Sequence, residues 1–274
     1  MPGLRDEDYI AFVDESIQPG TPGLTVVAGI LIPARLLRSA ERRWRDFITD
    51  RLGSRSGRRE VKGNELIKGH GAAKHAQAML LAEGWPALSA KGAGHQFYRE
   101  ALEHIASVTE VRILTVGLRT TSGVEAYRLW FWMSNVLLVE RPRAPRPRLP
   151  LIVIDGRNTA LRSAHDLVAW RFYKAFPRCQ PYVGGGSRWF VGGSVLQDSV
   201  LSPFIQMADL VAGAGRLAIA QNTPEQAWYK DHLLRPAGRM GRTIDVSKHA
   251  RSELRRRSRQ DSCGSGWKDA LLVP

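Results

Sequence analysis

The chain has 274 residues, enough for one large domain or two small ones, and its 43% hydrophobic content is ordinary for a folded protein with a sizeable core. The net charge of +14, with arginine supplying 32 of the 40 basic residues, favours a polyanionic partner, although GC-rich coding produces the same arginine bias. The isolated Cys179 and Cys263 argue against a disulfide framework, no run approaches the ~18 apolar residues of a membrane span, and the N-terminus lacks the apolar core of a signal peptide, so a soluble cytoplasmic protein is expected.

Residues 8–15 and 24–32 read as strands, and the Pro- and Gly-rich segment between them predicts an antiparallel hairpin. Pro33 opens a helix to about Leu52, with Leu36, Leu37, Trp44, Phe47 and Ile48 at helical spacing. A basic loop over 53–59 leads into Glu60-Val61-Lys62-Gly63-Asn64-Glu65-Leu66. Helices are expected at 72–83 and 95–108, a strand at 111–118 and an aromatic-rich helix at 124–140. The Pro- and Arg-rich run 141–148 reads as a connector. A strand ending at Asp155, a helix over 159–176 and a hairpin region with glycines at 184–186 and 192–193 follow. Ser202 as N-cap and Pro203 at the first helical position start a last helix that runs to about Gln221. The division expected is a domain over 1–222 and a basic extension over 223–274.

The placement of carboxylates carries the chemistry. Asp14 and Asp155 close two apolar strands, and Asp209 is the only acid between Ser199 and Pro224. An ionised carboxylate in such surroundings costs several kcal/mol of desolvation, an amount a metal or paired charge can offset. Arg216 or another buried base is one candidate partner for Asp209; a divalent cation is the other. Hydrolysis of a phosphodiester with two metals needs carboxylates that hold cations ~3.5–4 Å apart, and Mg²⁺ or Mn²⁺ suits an all-oxygen set. Asp14, Asp155 and Asp209 fit that scheme, with Glu60 or Glu65 as the fourth acid. Gln206, Asp209, Gly213 and Arg216 share one helical face, and Gly213 leaves a gap there that a neighbouring backbone or substrate can approach.

Other features favour plain readings. Asp198 reads as a cap more than a ligand, and Lys62 either contacts phosphate or pairs with Glu65. His165 reads as a surface residue, and no histidine spacing matches a zinc site. Trp130, Phe131 and Trp132 read as core rather than base-stacking residues. No Gly-x-Ser-x-Gly elbow surrounds Ser16, and the glycine clusters lack a phosphate-loop Lys.

The order of Phe12-Val13-Asp14-Glu15-Ser16, Glu60-Val61-Lys62-Gly63, Val153-Ile154-Asp155 and Asp198-Ser199 before Ile205-Gln206-Met207-Ala208-Asp209-Leu210 resembles the bacterial "domain of unknown function 3800" family over roughly residues 9–221. The family usually has glycine where Ile17 follows Ser16 here. It is similar to the ribonuclease H-like (retroviral integrase) superfamily, so the resemblance implies an α/β fold with a mixed five-stranded sheet flanked by helices. It also implies a Mg²⁺- or Mn²⁺-dependent nuclease. By this resemblance Asp14, Glu60, Asp155 and Asp209 are the catalytic metal ligands, with Glu15, Lys62 and Gln206 beside them. The expected partner is nucleic acid, RNA or DNA, gripped in addition by Arg251, Arg255, Arg256, Arg257 and Arg259. No membrane is expected, and a homodimer is compatible with the reading. A non-catalytic nucleic-acid-binding module of the same fold is the alternative, and a carboxylate hydrolase acting on a nucleotide or glycoside is a third.

Overall fold

Alternation of apolar side chains sets up a sheet buried on both faces. The structure, a computed structural model, describes residues 6–20, 23–53, 60–86, 88–108, 110–119, 122–139, 151–158, 160–165, 194–220 and 242–245. β1 (Tyr9–Gln18) and β2 (Leu24–Pro33) form the expected antiparallel hairpin, with Asp14 opposite Ala28, and every residue of β2 is buried. β3 (Arg112–Leu118) pairs antiparallel with β2, while β4 (Leu151–Asp155) lies parallel to β1 and β5 (Ser194–Gln197) parallel to β4. These five strands form a mixed sheet, compatible with the five-stranded one that the resemblance implies. A sixth, β6 (Arg242–Asp245), comes from the polar extension and pairs parallel with β3, giving the order β5-β4-β1-β2-β3-β6.

Helices cover both faces. After a 3-10 turn (Ala34–Leu36), α1 (Leu37–Leu52) buries Ala40, Trp44, Ile48 and Leu52, a stripe at every fourth residue. α2 (Gly63–Lys68), α3 (Ala72–Ala82) and α4 (Ala90–Ser107) follow, and Ser89 caps α4 by accepting from the Gly92 N–H at 3.1 Å. That cap starts α4 ahead of the expected 95–108. α5 (Gly123–Val139), α6 (160–165) and α7 (Pro203–Ala220) complete the described set.

Period two sorts the strand residues between the layers. Ile10, Phe12, Ala28, Ile30 and Ile32 face α1, α3, α4 and α7, whereas Tyr9, Ala11, Val13, Val27 and Leu31 face Tyr127, Trp130 and Phe131 of α5 and Leu161 and Ala164 of α6. Trp130 is fully buried and its indole N–H donates to the Leu114 carbonyl at 3.1 Å, while its ring occupies the space a side chain at Gly29 would need. The core reading of Trp130 and Phe131 therefore holds; the Trp132 side chain lies outside the described residues.

α7 is apolar nearly all round because it runs across β1, β2 and β3 beneath α2 and α4. Among the described residues no helix is long and apolar enough to cross a membrane. The connector at 141–148, the hairpin glycines at 184–186 and 192–193 and the five arginines of 251–259 lie outside the described residues.

One expectation is corrected here. His165 is not on the surface: it is fully buried, and its Nδ1 lies 2.7 Å from the Tyr127 hydroxyl, edge-on to Phe131. A buried phenol needs a hydrogen-bonding partner, and α6 supplies one from the facing side of the layer.

Candidate metal centre

β1 and β4 are parallel and in register, Phe12 beside Val153 and Val13 beside Ile154, so Asp14 and Asp155 are the next pair along the two strands. Alternation places both on the face that carries Phe12 and Val153, beneath α7. The Phe12 and Phe204 rings meet at 4.6 Å between centroids, fixing the start of α7 over β1. Asp209 then projects from α7 towards the same end of the sheet.

The acids sense one another. Burial pushes the Asp14 carboxyl well above the ordinary carboxylate range, and the charges of Asp209, Asp155 and Glu15 push the same way, opposed by the Glu15 N–H. Burial also raises Asp209, with Glu60 and Asp155 adding to it, while the Gly63 N–H and Lys62 oppose. Glu15 is raised by burial against the hydrogen bond from Asn158.

Each of the four predicted ligands has one oxygen held by a protein donor. Asp14 Oδ1 accepts from the Glu15 N–H at 2.8 Å, Asp155 Oδ1 from the Arg157 N–H at 3.0 Å and Asp209 Oδ2 from the Gly63 N–H at 2.9 Å. Glu60 Oε1 accepts from the Ser199 hydroxyl. These bonds fix the carboxylate planes and leave the second oxygen of each aspartate for a ligand. Glu60 differs, because its Oε2 faces two cations, Lys62 Nζ at 3.4 Å and Arg157 Nη1 at 3.5 Å.

Gln206 supports Glu60 from α7. Its amide Nε2 donates to the Ser199 carbonyl at 2.9 Å and its Oε1 accepts from the Val61 N–H at 3.4 Å, so the segment before α2 is tied to the turn before α7. Glu15 accepts from Asn158 Nδ2 at 3.3 Å, and its Oε2 lies buried beside Gly123 without a hydrogen-bond partner among the described residues. Lys62 pairs with Glu60 rather than Glu65, whose carboxylate turns to Gly71 at the start of α3. Arg216 is not the counter-charge of Asp209: its Nε donates to Ser16 Oγ at 2.9 Å, while Lys62 provides the nearby positive charge. The gap at Gly213 is filled from within, since the Tyr98 hydroxyl donates to the Leu210 carbonyl at 2.5 Å and sits between Gly213 and Gly63. Asp198 caps its turn, accepting from the Val200 N–H at 2.9 Å and from Arg157 Nη2 at 3.3 Å.

Arg157 and Asn158 are the polar partners that sequence reasoning did not single out, and Ser199 stood in the Asp198-Ser199 motif without a role of its own. A signal existed for one of them: Asn158 follows a strand-terminal Asp-Gly-Arg turn and accepts the Leu161 N–H at 2.9 Å as a helix cap.

The donor set suits a hard divalent cation, being all oxygen and carrying repulsion at Asp14, Asp155 and Asp209 that a cation would relieve. The charge of Glu60, by contrast, is already balanced by Lys62 and Arg157. Among the described residues, however, no three Asp, Glu, His or Cys side chains converge closely enough to hold an ion as they stand. Asp14 and Asp155 stand at the next register position of neighbouring strands, whereas Glu60 and Asp209 come from the segment before α2 and from α7. Comparison with models of known families, with curated proteins and with solved structures gave no match.

Proposed function

We propose that this chain is a divalent-metal-dependent nuclease of the ribonuclease H-like class, related to the bacterial domain of unknown function 3800 family. The observation that carries the reading is the approach of Asp14 and Asp209, two desolvated and mutually repelling acids from distant elements, with Asp155 beside Asp14 on the neighbouring strand, on a chain of net charge +14. Structural acids are ordinarily satisfied by nearby bases. Here burial and like charge dominate at Asp14, as expected of a site shaped for a cation.

Mg²⁺ or Mn²⁺, when bound, supplies an activated water and neutralises charge on the phosphate. Asp14 and Asp155 offer ligand oxygens from rigid strand ends, Asp209 adds one from α7, and Glu60 completes the set from the segment Gln206 fixes. The Glu15, Arg157 and Gly63 N–H groups each hold one oxygen of Asp14, Asp155 and Asp209 respectively. Lys62, half exposed and paired with Glu60, is the residue this reading assigns to the phosphate backbone.

The test is cleavage of labelled single-stranded and duplex DNA, RNA and hybrid with Mg²⁺, Mn²⁺ or EDTA, comparing wild type with Asp14→Asn. The reading expects metal-dependent cutting that the substitution abolishes with the fold intact; equal cutting by both proteins refutes it. A nucleic-acid-binding module is the second reading, favoured by the carboxylates' separation. It expects salt-sensitive binding without cleavage that survives Asp209→Asn.

A further inference from the structure

From Phe204 to Ile219, α7 is buried at every residue except Asp209 and Arg216, which stand two turns apart on one face. The helix is seated tightly where Arg216 leaves it. A side-chain carbon at Gly215 would lie 3.1 Å from Val26 Cγ1, and Val26 is the β2 residue opposite Ser16. From that seat the Arg216 Nε donates to Ser16 Oγ at 2.9 Å, and among the described residues no carboxylate comes within ion-pair distance of the guanidinium. A hydroxyl orients the group without offsetting its charge, so a half-buried cationic fork is left with both Nη groups to spare. Ser16 lies two residues beyond Asp14 on the same face of β1, about 7 Å along the strand, and Ile17 beside it is exposed, so this end of β1 is reachable from solvent.

We infer that Arg216 binds a backbone phosphate of the nucleic-acid strand that crosses the acids, with Ser16 holding its fork in place. It rests on the nucleic-acid part of the proposed function and on no metal. A guanidinium drawn partly out of water is costly unless an anion meets it, and the planar fork matches the oxygens of a phosphate. Neither neighbouring acid takes up that charge: the charges acting on Asp14 are those of other carboxylates, and the positive neighbour of Asp209 is Lys62. The Val61 and Gly63 N–H groups bond to Gln206 and Asp209, which puts Lys62 beside the first half of α7, whereas Arg216 lies in the second half. A strand laid over Asp209 therefore meets positive charge on both sides of it, and Arg216 supplies the side that Lys62 does not reach.

Fluorescence anisotropy of a labelled single-stranded oligonucleotide, in EDTA to prevent cleavage, separates this role from a structural one. The full chain is titrated across a salt series as wild type, Arg216→Gln, Ser16→Ala and the control Arg42→Gln on the exposed face of α1. Arg216→Gln should bind about tenfold more weakly, the loss of one charge-assisted hydrogen bond, and the slope of log affinity against log salt should shrink by roughly 0.7. Ser16→Ala keeps the charge, so its slope should match wild type while affinity falls about two- to threefold. Arg42→Gln should change neither. On an oligonucleotide with neutral methylphosphonate linkages, wild type and Arg216→Gln should bind alike. Wild-type affinity and slope in Arg216→Gln overturn the proposal and leave the nuclease reading in place, as does an equal loss in the control or a difference that persists on the neutral backbone. A lowered melting temperature with an unchanged slope makes Arg216 a structural residue and overturns it too. Should Arg216→Gln fail to fold, Ser16→Ala decides, and wild-type affinity in that variant overturns the proposal. If wild type binds no oligonucleotide, the nucleic-acid reading itself fails, and this proposal with it.

Discussion

A methyl group added at Gly213 probes the joint that holds Asp209 in place. The new carbon would lie 2.6 Å from the Tyr98 hydroxyl and 3.8 Å from the ring carbon that bears it. The first distance is a clash and the second an ordinary contact, so the hydroxyl alone opposes the substitution. Tyr98 is fully buried and its hydroxyl is tied to the Leu210 carbonyl at 2.5 Å, so it must retreat by several tenths of an ångström and give up that bond. Overpacking costs about 1–3 kcal/mol and the lost hydrogen bond about 1 kcal/mol, offset by about 1 kcal/mol from replacing glycine inside a helix. Gly213→Ala should therefore destabilise by about 1–3 kcal/mol, and Tyr98→Phe by about 1 kcal/mol. In the double variant the clash is gone and the helix gain remains, so the total should be about 0–1 kcal/mol, well short of additive. Urea unfolding of the four proteins measures the coupling. If Gly213→Ala costs as much beside Phe as beside Tyr, the hydroxyl is not what sets the position of α7.

Two further outcomes follow from the electrostatics. Asp14→Asn keeps an acceptor for the Glu15 N–H while removing a charge that burial and its neighbours oppose, so in EDTA the variant should melt higher than wild type; a lower melting temperature would show that the acids do not strain the fold. His104 has its pKa lowered by burial and then by Arg43, against a backbone hydrogen bond at Arg43, and its ring stacks on Phe47 at 4.7 Å. Because the folded form gives up the proton more readily than the unfolded chain, stability should rise as pH climbs from below the folded pKa towards about 6.5. His104→Phe should flatten that rise in pH-dependent urea midpoints, and an unchanged slope would place its origin elsewhere.

Much of the framework was legible because burial leaves a periodic trace. The β1–β2 hairpin, β3, β4 and α7 are long or apolar enough to read directly, and Ser202-Pro203 marks the start of α7. The three aspartates stand out because charge is rare in such segments. β5 and β6 were not legible: each is four residues long and depends on its neighbour in the sheet for definition. α2, six residues, forms under tertiary restraint from Gln206 and Asp209. The pairing choices of Lys62, Arg216 and His165 depended on which surfaces meet in space, and spacing along the chain carries no record of that.

The sheet order also has a consequence for synthesis. Ile10 near the start of the chain pairs with Leu151, and the strand between its two partners cannot gain the second one until more than half the protein has been made. Until then β1 presents an unpaired, apolar edge, the kind of surface through which incomplete chains associate. The same delay keeps the acids apart, since Asp14 meets Asp155 only when β4 docks, and Asp209 only when α7 closes over both. A truncated or stalled product is therefore a hazard through aggregation, exposed before the three acids have been brought together.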